Sequence, residues 1–156
     1  MSTTAETSPA NQQALIRAAT PADAAQLFSL VEQLGIGDPP VHDSFDVAFA
    51  EAVKDTDDHI LFVSESGGVV VGYAFATITR LLYTNGDIAQ LQELVVDPSA
   101  AKRGIGSQLI AAIERECIAR GVRHLTVASR RRGASFYERH DYRSTADYLK
   151  KTFQVD

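Results

Sequence analysis

The segment best equipped for chemistry runs from Leu91 to Ser107. Leu91-Gln92-Glu93-Leu94-Val95-Val96 has a strand's composition, and Asp97-Pro98 closes it. Ser99-Ala100-Ala101-Lys102-Arg103-Gly104-Ile105-Gly106-Ser107 then opens a helix. The first turn of a helix carries N–H groups without intrahelical acceptors and a partial positive charge. Gly104 and Gly106 let a bulky ligand approach the backbone, and Lys102 and Arg103 add mobile positive charge. This combination suits a phosphate or pyrophosphate. Taken alone, Gly-x-Gly better suits a tight strand-to-helix turn on a solvated surface. Spacing excludes two rivals. A P-loop needs Gly, four residues, then Gly-Lys-Ser/Thr, which is absent. A dinucleotide-binding turn needs a third glycine where Leu109 stands.

Glu93 is the carboxylate nearest this turn on its N-terminal side, apart from Asp97 in the closing turn. Strand alternation sets Gln92 and Leu94 opposite it, so Glu93 faces a cleft if the apolar side packs inward, and solvent otherwise. Arg130-Arg131-Arg132 follows a strand and suits either an anionic group or a solvated charge run. Cys117 falls on the apolar face of a helix and reads as structural. His42, His59, His124 and His140 have no metal-ligand spacing, so no metal is expected.

The elements that must position these residues follow from punctuation and period. Leu15–Ala18 reads as a first strand. Thr20-Pro21-Ala22-Asp23 starts a helix whose apolar positions are Leu27, Leu30, Val31 and Leu34, stopped by Gly35. Ile36–Ser44 reads as a loop and Phe45–Lys54 as a second short helix. Ile60–Ser64 and Val69–Leu82 form a hairpin about Gly67-Gly68. Asn85-Gly86 turns the chain into the strand Ala89–Val96. Gly104–Arg120 is a helix with Ile105, Leu109, Ile113 and Cys117 on one face and Gly121 at its end. His124–Ala128 is a strand and Ala134–His140 a short helix. Tyr142–Ser144 and Tyr148–Phe153 supply final strands. The expectation is an α/β (α+β) domain with a mixed central sheet of about seven strands flanked by about four helices.

The bulk properties bound the function. The 156 residues suffice for one compact domain, expected over 13–156 after a flexible segment 1–12. An apolar fraction of 45% with 22% charged residues is the profile of a folded globular chain. The net charge of −5 argues against broad nucleic-acid binding. No apolar run approaches the ~20 residues of a membrane helix, and the Ser/Thr/Ala-rich start lacks the apolar core of a signal peptide. A single cysteine cannot form an internal disulfide, so a reducing, cytoplasmic compartment is expected.

Glu93-Leu94-Val95-Val96-Asp97-Pro98, Arg103-Gly104-Ile105-Gly106-Ser107 and Phe136-Tyr137-Glu138-Arg139 together resemble the GNAT acetyltransferase superfamily, over about Ile16 to Phe153. The nearer likeness is to a bacterial small-amine branch that includes aminoalkylphosphonate acetyltransferases. Its Phe-Tyr…Gly-Tyr…Phe-x-Lys ending corresponds here to Phe136-Tyr137, Asp141-Tyr142 and Tyr148-Leu149-Lys150.

The resemblance implies acetyl-CoA as acetyl donor, a small-molecule amine as acceptor, direct attack in a ternary complex, and a homodimer. It also assigns roles. Leu94, Val95 and Val96 would offer backbone groups to the acetyl carbonyl and pantetheine, with Val95 N–H the oxyanion donor. Ala101, Lys102, Arg103, Gly104, Ile105, Gly106 and Ser107 would hold the pyrophosphate, chiefly through N–H groups from Arg103 to Ser107. Glu93 would be the general base, acting on an alkyl ammonium of pKa ~10.4 directly or through water. Tyr137 would be the acid at sulfur. Ala101 stands where the family has Arg or Gln, Asp141 where it often has Gly, and Ser135 where the branch often has His. An acetyltransferase acting on a protein lysine or N-terminus, and a non-catalytic acyl-CoA-binding module, are the alternatives.

Overall fold

In a computed structural model, which describes residues 14–54, 56–101, 103–130 and 133–155, the period-two runs pair into one sheet. The strands are β1 (Leu15–Ala18), β2 (His59–Ser66), β3 (Val69–Arg80), β4 (Asp87–Val96) and β5 (Leu125–Val127), lying in that order across the sheet. The helices are α1 (Ala24–Glu32), α2 (His42–Ala52), α3 (Ile105–Ala119) and α4 (Ala134–Arg139). The expected flexible segment 1–12 lies outside the described residues. The described chain forms two compact units, one ending at Thr126 and one beginning at Val127.

In the first unit, β1 to β4 pair antiparallel. Side chains alternate across the sheet and sort the core into two faces. Leu27, Leu30 and Phe49 from α1 and α2 cluster with Leu61, Val63, Tyr73 and Val95. On the other face, Ile105, Leu109 and Ile113 of α3 are fully buried, as their four-residue spacing requires. Gly72 sets the approach of this helix. A Cβ there would stand 2.9 Å from the Val95 carbonyl oxygen and 3.2 Å from Leu109 Cδ1, so glycine lets α3 close onto β3.

The helix starts are set by local bonds and by packing. Pro21–Asp23 forms a 3-10 turn leading into α1, and the Asp23 carboxylate accepts the Thr20 N–H at 2.8 Å. The same carboxylate pairs with Arg17 of β1, which also reaches Glu65 of β2. These bonds hold the Asp23 carboxyl below its ordinary range. α2 begins at His42, three residues before the expected start. The His42 ring stacks on Phe28 at 3.7 Å, a tertiary contact that local composition does not announce.

The second unit contains α4. Its rings pack edge to face: Phe136 on Tyr137 at 5.1 Å, and Tyr137 on Tyr142 at 5.7 Å. Asp141 has φ +67°, which explains why glycine suits this position and how aspartate tolerates it. The expected strands Tyr142–Ser144 and Tyr148–Phe153 do not form, so the sheet has five strands instead of about seven. A strand needs a neighbouring backbone to complete its ladder. Among the described residues, 143–155 make no such bonds, and Tyr148, Leu149 and Phe153 are exposed.

Candidate active site

The register of β4 against β3 breaks where the carboxylate stands. Phe75 lies opposite Glu93, but Ala76 lies opposite Leu91, leaving Gln92 as the extra residue of a bulge. The bulge overturns the simple alternation expected for this strand. Gln92 Nε2 donates to Thr77 Oγ1 at 2.9 Å, and Tyr73 Oη donates to Glu93 Oε1 at 2.8 Å. Tyr73, Phe75 and Thr77 share one face of β3. Gln92 and Glu93 therefore both project on the face that carries α1 and α2, and Leu94 turns to the other. Glu93 is half-buried there. Tyr73 is a core residue missed by sequence reasoning. Its run reads only as a strand, and nothing local pairs it with a residue twenty positions away.

The same register decides which backbone N–H groups of β4 point at β3. Asp97 N–H donates to the Val71 carbonyl at 2.7 Å, and Val95 sits opposite Tyr73. Antiparallel pairing alternates, so Val95 N–H, two residues from Asp97, also points at β3. The expected donor at Val95 is thus committed to the sheet. The N–H groups of Leu94 and Val96 point the other way.

Beyond β4, the Asp97 carboxylate accepts from Ser99 N–H at 2.9 Å and from Ser99 Oγ at 2.6 Å. These two bonds, first the hydroxyl and then the N–H, hold its carboxyl below the usual range. They fix the 3-10 turn Pro98–Ala100 that leads to Ala101. Arg103 N–H is spent on the Ala100 carbonyl at 3.2 Å, so Arg103 does not head the row of donors as expected. Its guanidinium donates to Ser66 Oγ at 3.0 Å. Gly104 takes φ +73°, and a Cβ there would meet nothing within 4 Å. The backbone at this point is therefore open to approach. Gln108 N–H to the Gly104 carbonyl, at 3.1 Å, is the first bond along α3. The N–H groups of Ile105 and Gly106, ahead of it, have no acceptor within the helix. Lys102 lies outside the described residues, as do Arg131 and Arg132. The fit to a pyrophosphate thus rests on a left-handed glycine followed by a helix start, and not on a side chain at Ala101, which is exposed.

Tyr137 belongs to the second unit. It is half-buried between Phe136 and Tyr142 on α4, and burial raises its phenol above the ordinary tyrosine value. Cys117 is 4% exposed on α3, and burial pushes its thiol up. Both effects make it a poor nucleophile. Among the described residues, no three His, Cys, Asp or Glu side chains gather to hold a metal. No helix of the described residues is long and apolar enough to cross a membrane.

The model of the acetyltransferase (GNAT) domain matches residues 57–144, more than half of the chain. The chain belongs to the GNAT acetyltransferase family. Among GNAT relatives, aminoglycoside N(6')-acetyltransferase type 1 of Salmonella typhimurium (strain LT2) is 34% identical over 100 residues, which cover 62% of this chain and 66% of that protein. The match thus spans just under two thirds of the relative's length. Glucosamine-6-phosphate N-acetyltransferase from Arabidopsis thaliana has a TM-score of 0.81 at 20% identity, covering 92% of this chain and all of that one. Aminoglycoside N-acetyltransferase AAC(6')-Iy in complex with CoA has a TM-score of 0.75 at 22% identity, covering 93% and 97%. At these identities the likeness is one of fold, the α+β GNAT fold expected from the sequence.

Proposed function

We propose that this protein transfers the acetyl group of acetyl-CoA to a primary amine of a small molecule, by direct attack within a ternary complex. The observation that carries the reading is the Glu93 carboxylate. It stands at a bulge in β4, held at one oxygen, eleven residues before the left-handed Gly104 that opens α3.

Each residue has a task in this scheme. Glu93 draws in the cationic amine and takes its proton, directly or through water. The N–H groups of Leu94 and Val96, which point away from β3, serve the carbonyl oxygen and the pantetheine arm. Ile105, Gly106 and Ser107 receive the pyrophosphate at the positive end of α3. Acetyl-CoA supplies the activated thioester. Tyr137 offers its proton at the sulfur. The aminoglycoside in the Salmonella relative's name supports a small polar amine as acceptor. We take residues 13–156 as the acetyltransferase domain. The lone cysteine supports a cytoplasmic location, and the family resemblance supports a homodimer.

The buried Cys117 leaves no accessible thiol to carry an acetyl group, which supports direct attack over a covalent relay. Initial velocities measured with both substrates varied should give intersecting double-reciprocal lines. Parallel lines, the mark of a covalent acetyl-enzyme, would contradict the ternary complex.

A further inference from the structure

Tyr73 is 2% exposed and lies in β3 opposite Val63 of β2 and Val95 of β4. Its ring belongs to the core cluster with Leu27, Leu30 and Phe49. A phenylalanine would fill this space equally well. A buried hydroxyl needs a partner to offset its lost hydration, and the partner here is Glu93 Oε1 at 2.8 Å. Burial first, and the Glu93 charge second, push the Tyr73 phenol far above its ordinary value, so it remains a donor at every physiological pH.

The bond joins two side chains of different character. A glutamate on a strand has three rotatable torsions, and holding it in one geometry costs entropy. Tyr73 has two torsions, both clamped by the core. Among the described residues, Glu93 Oε2 has no hydrogen-bond partner.

We infer that Tyr73 is a positioning residue for acetyl transfer: it fixes the Glu93 carboxylate through Oε1 and leaves Oε2 to meet the acceptor amine or a relaying water. The inference rests on the role of Glu93 as base. The gain is preorganisation, because the carboxylate is already aimed when the amine arrives.

The test is a cycle of Tyr73→Phe, Glu93→Gln and the double variant, each checked for cooperative unfolding. In the otherwise native protein, Tyr73→Phe should lower kcat about 10-fold, within the up to 10²-fold that misplacing a reacting group costs. Acetyl-CoA affinity and the amine KM should hold within about 2-fold, because the carboxylate's charge remains. In the Glu93→Gln background the same change should alter kcat by less than about 2-fold, because there is no base left to aim. An equal loss in both backgrounds would mean that Tyr73 acts on the fold at large, and overturns the inference. Full kcat in Tyr73→Phe with a slow Glu93→Gln overturns it while leaving Glu93 as base. Full kcat in Glu93→Gln removes the base, and the inference with it.

Discussion

Glu93→Gln should lower kcat/KM for acetyl transfer by about 10³-fold at neutral pH, within the range that positioned general bases contribute. Two losses combine. The amide cannot take the proton of an alkyl ammonium whose ordinary pKa is ~10.4, and it no longer attracts the cation. The first loss appears in kcat and the second as a raised amine KM. The variant's rate should climb with pH as free amine becomes available from solvent, whereas the native enzyme should depend on pH less steeply through the same interval. Acetyl-CoA binding, measured separately, should be unchanged, because the proposed pyrophosphate donors begin twelve residues later at Ile105. The native fold should persist: Gln is isosteric, and its carbonyl can still accept the Tyr73 hydroxyl. A variant with native kcat/KM and a native pH profile would remove Glu93 from the chemistry.

Tyr137→Phe should lower kcat about 10²-fold, with acetyl-CoA affinity little changed. A free phenol has pKa ~10 and a thiol ~8.5, so complete transfer between the free groups is uphill by roughly 2 kcal/mol. Burial between Phe136 and Tyr142 raises the phenol and makes that transfer harder. In the proposed scheme Tyr137 would therefore serve as a donor that shares its proton as charge grows on sulfur. The sign of the shift sets the pH dependence. In that scheme the protonated phenol would be the active form, and a raised pKa centres its loss above about pH 10. Tyr137 should thus impose no fall in native rate between about pH 7 and 9, and the deficit of Tyr137→Phe should be constant across that interval. A decline centred below about pH 9 that disappears in Tyr137→Phe would mean that the phenol works as a base instead.

What was legible in the sequence is what local chemistry decides. Ile105, Leu109, Ile113 and Cys117 repeat at helical spacing, and all four are buried on α3. Gly67-Gly68 and Asn85-Gly86 both adopt positive φ, as the turn reading required. Gly104, placed at the head of the helix, is left-handed there. Register was not legible. Whether Gln92 lies opposite Glu93 or beside it depends on one unpaired residue in β4, and that depends on how β3 lies against it. The same register turns the Val95 N–H toward β3 and leaves Leu94 and Val96, of the three expected donors, pointing away from it. The link from Tyr73 to Glu93 was hidden for the same reason. Aromatic and apolar content also misled at the end of the chain. Tyr148, Leu149 and Phe153 suit a strand, but an extended run becomes one only when another backbone completes its bonds.

The reading as an acetyltransferase stands or falls on turnover. The direct measurement is release of CoA thiol from acetyl-CoA, with mass detection of the acetylated product, across aminoglycosides, polyamines, aminophosphonates, amino acids and peptides. The expected result is amine-dependent thiol release matched one-to-one by N-acetyl product on at least one small primary amine. Tight acetyl-CoA binding with no product on any amine, or no binding of acetyl-CoA at all, would contradict it.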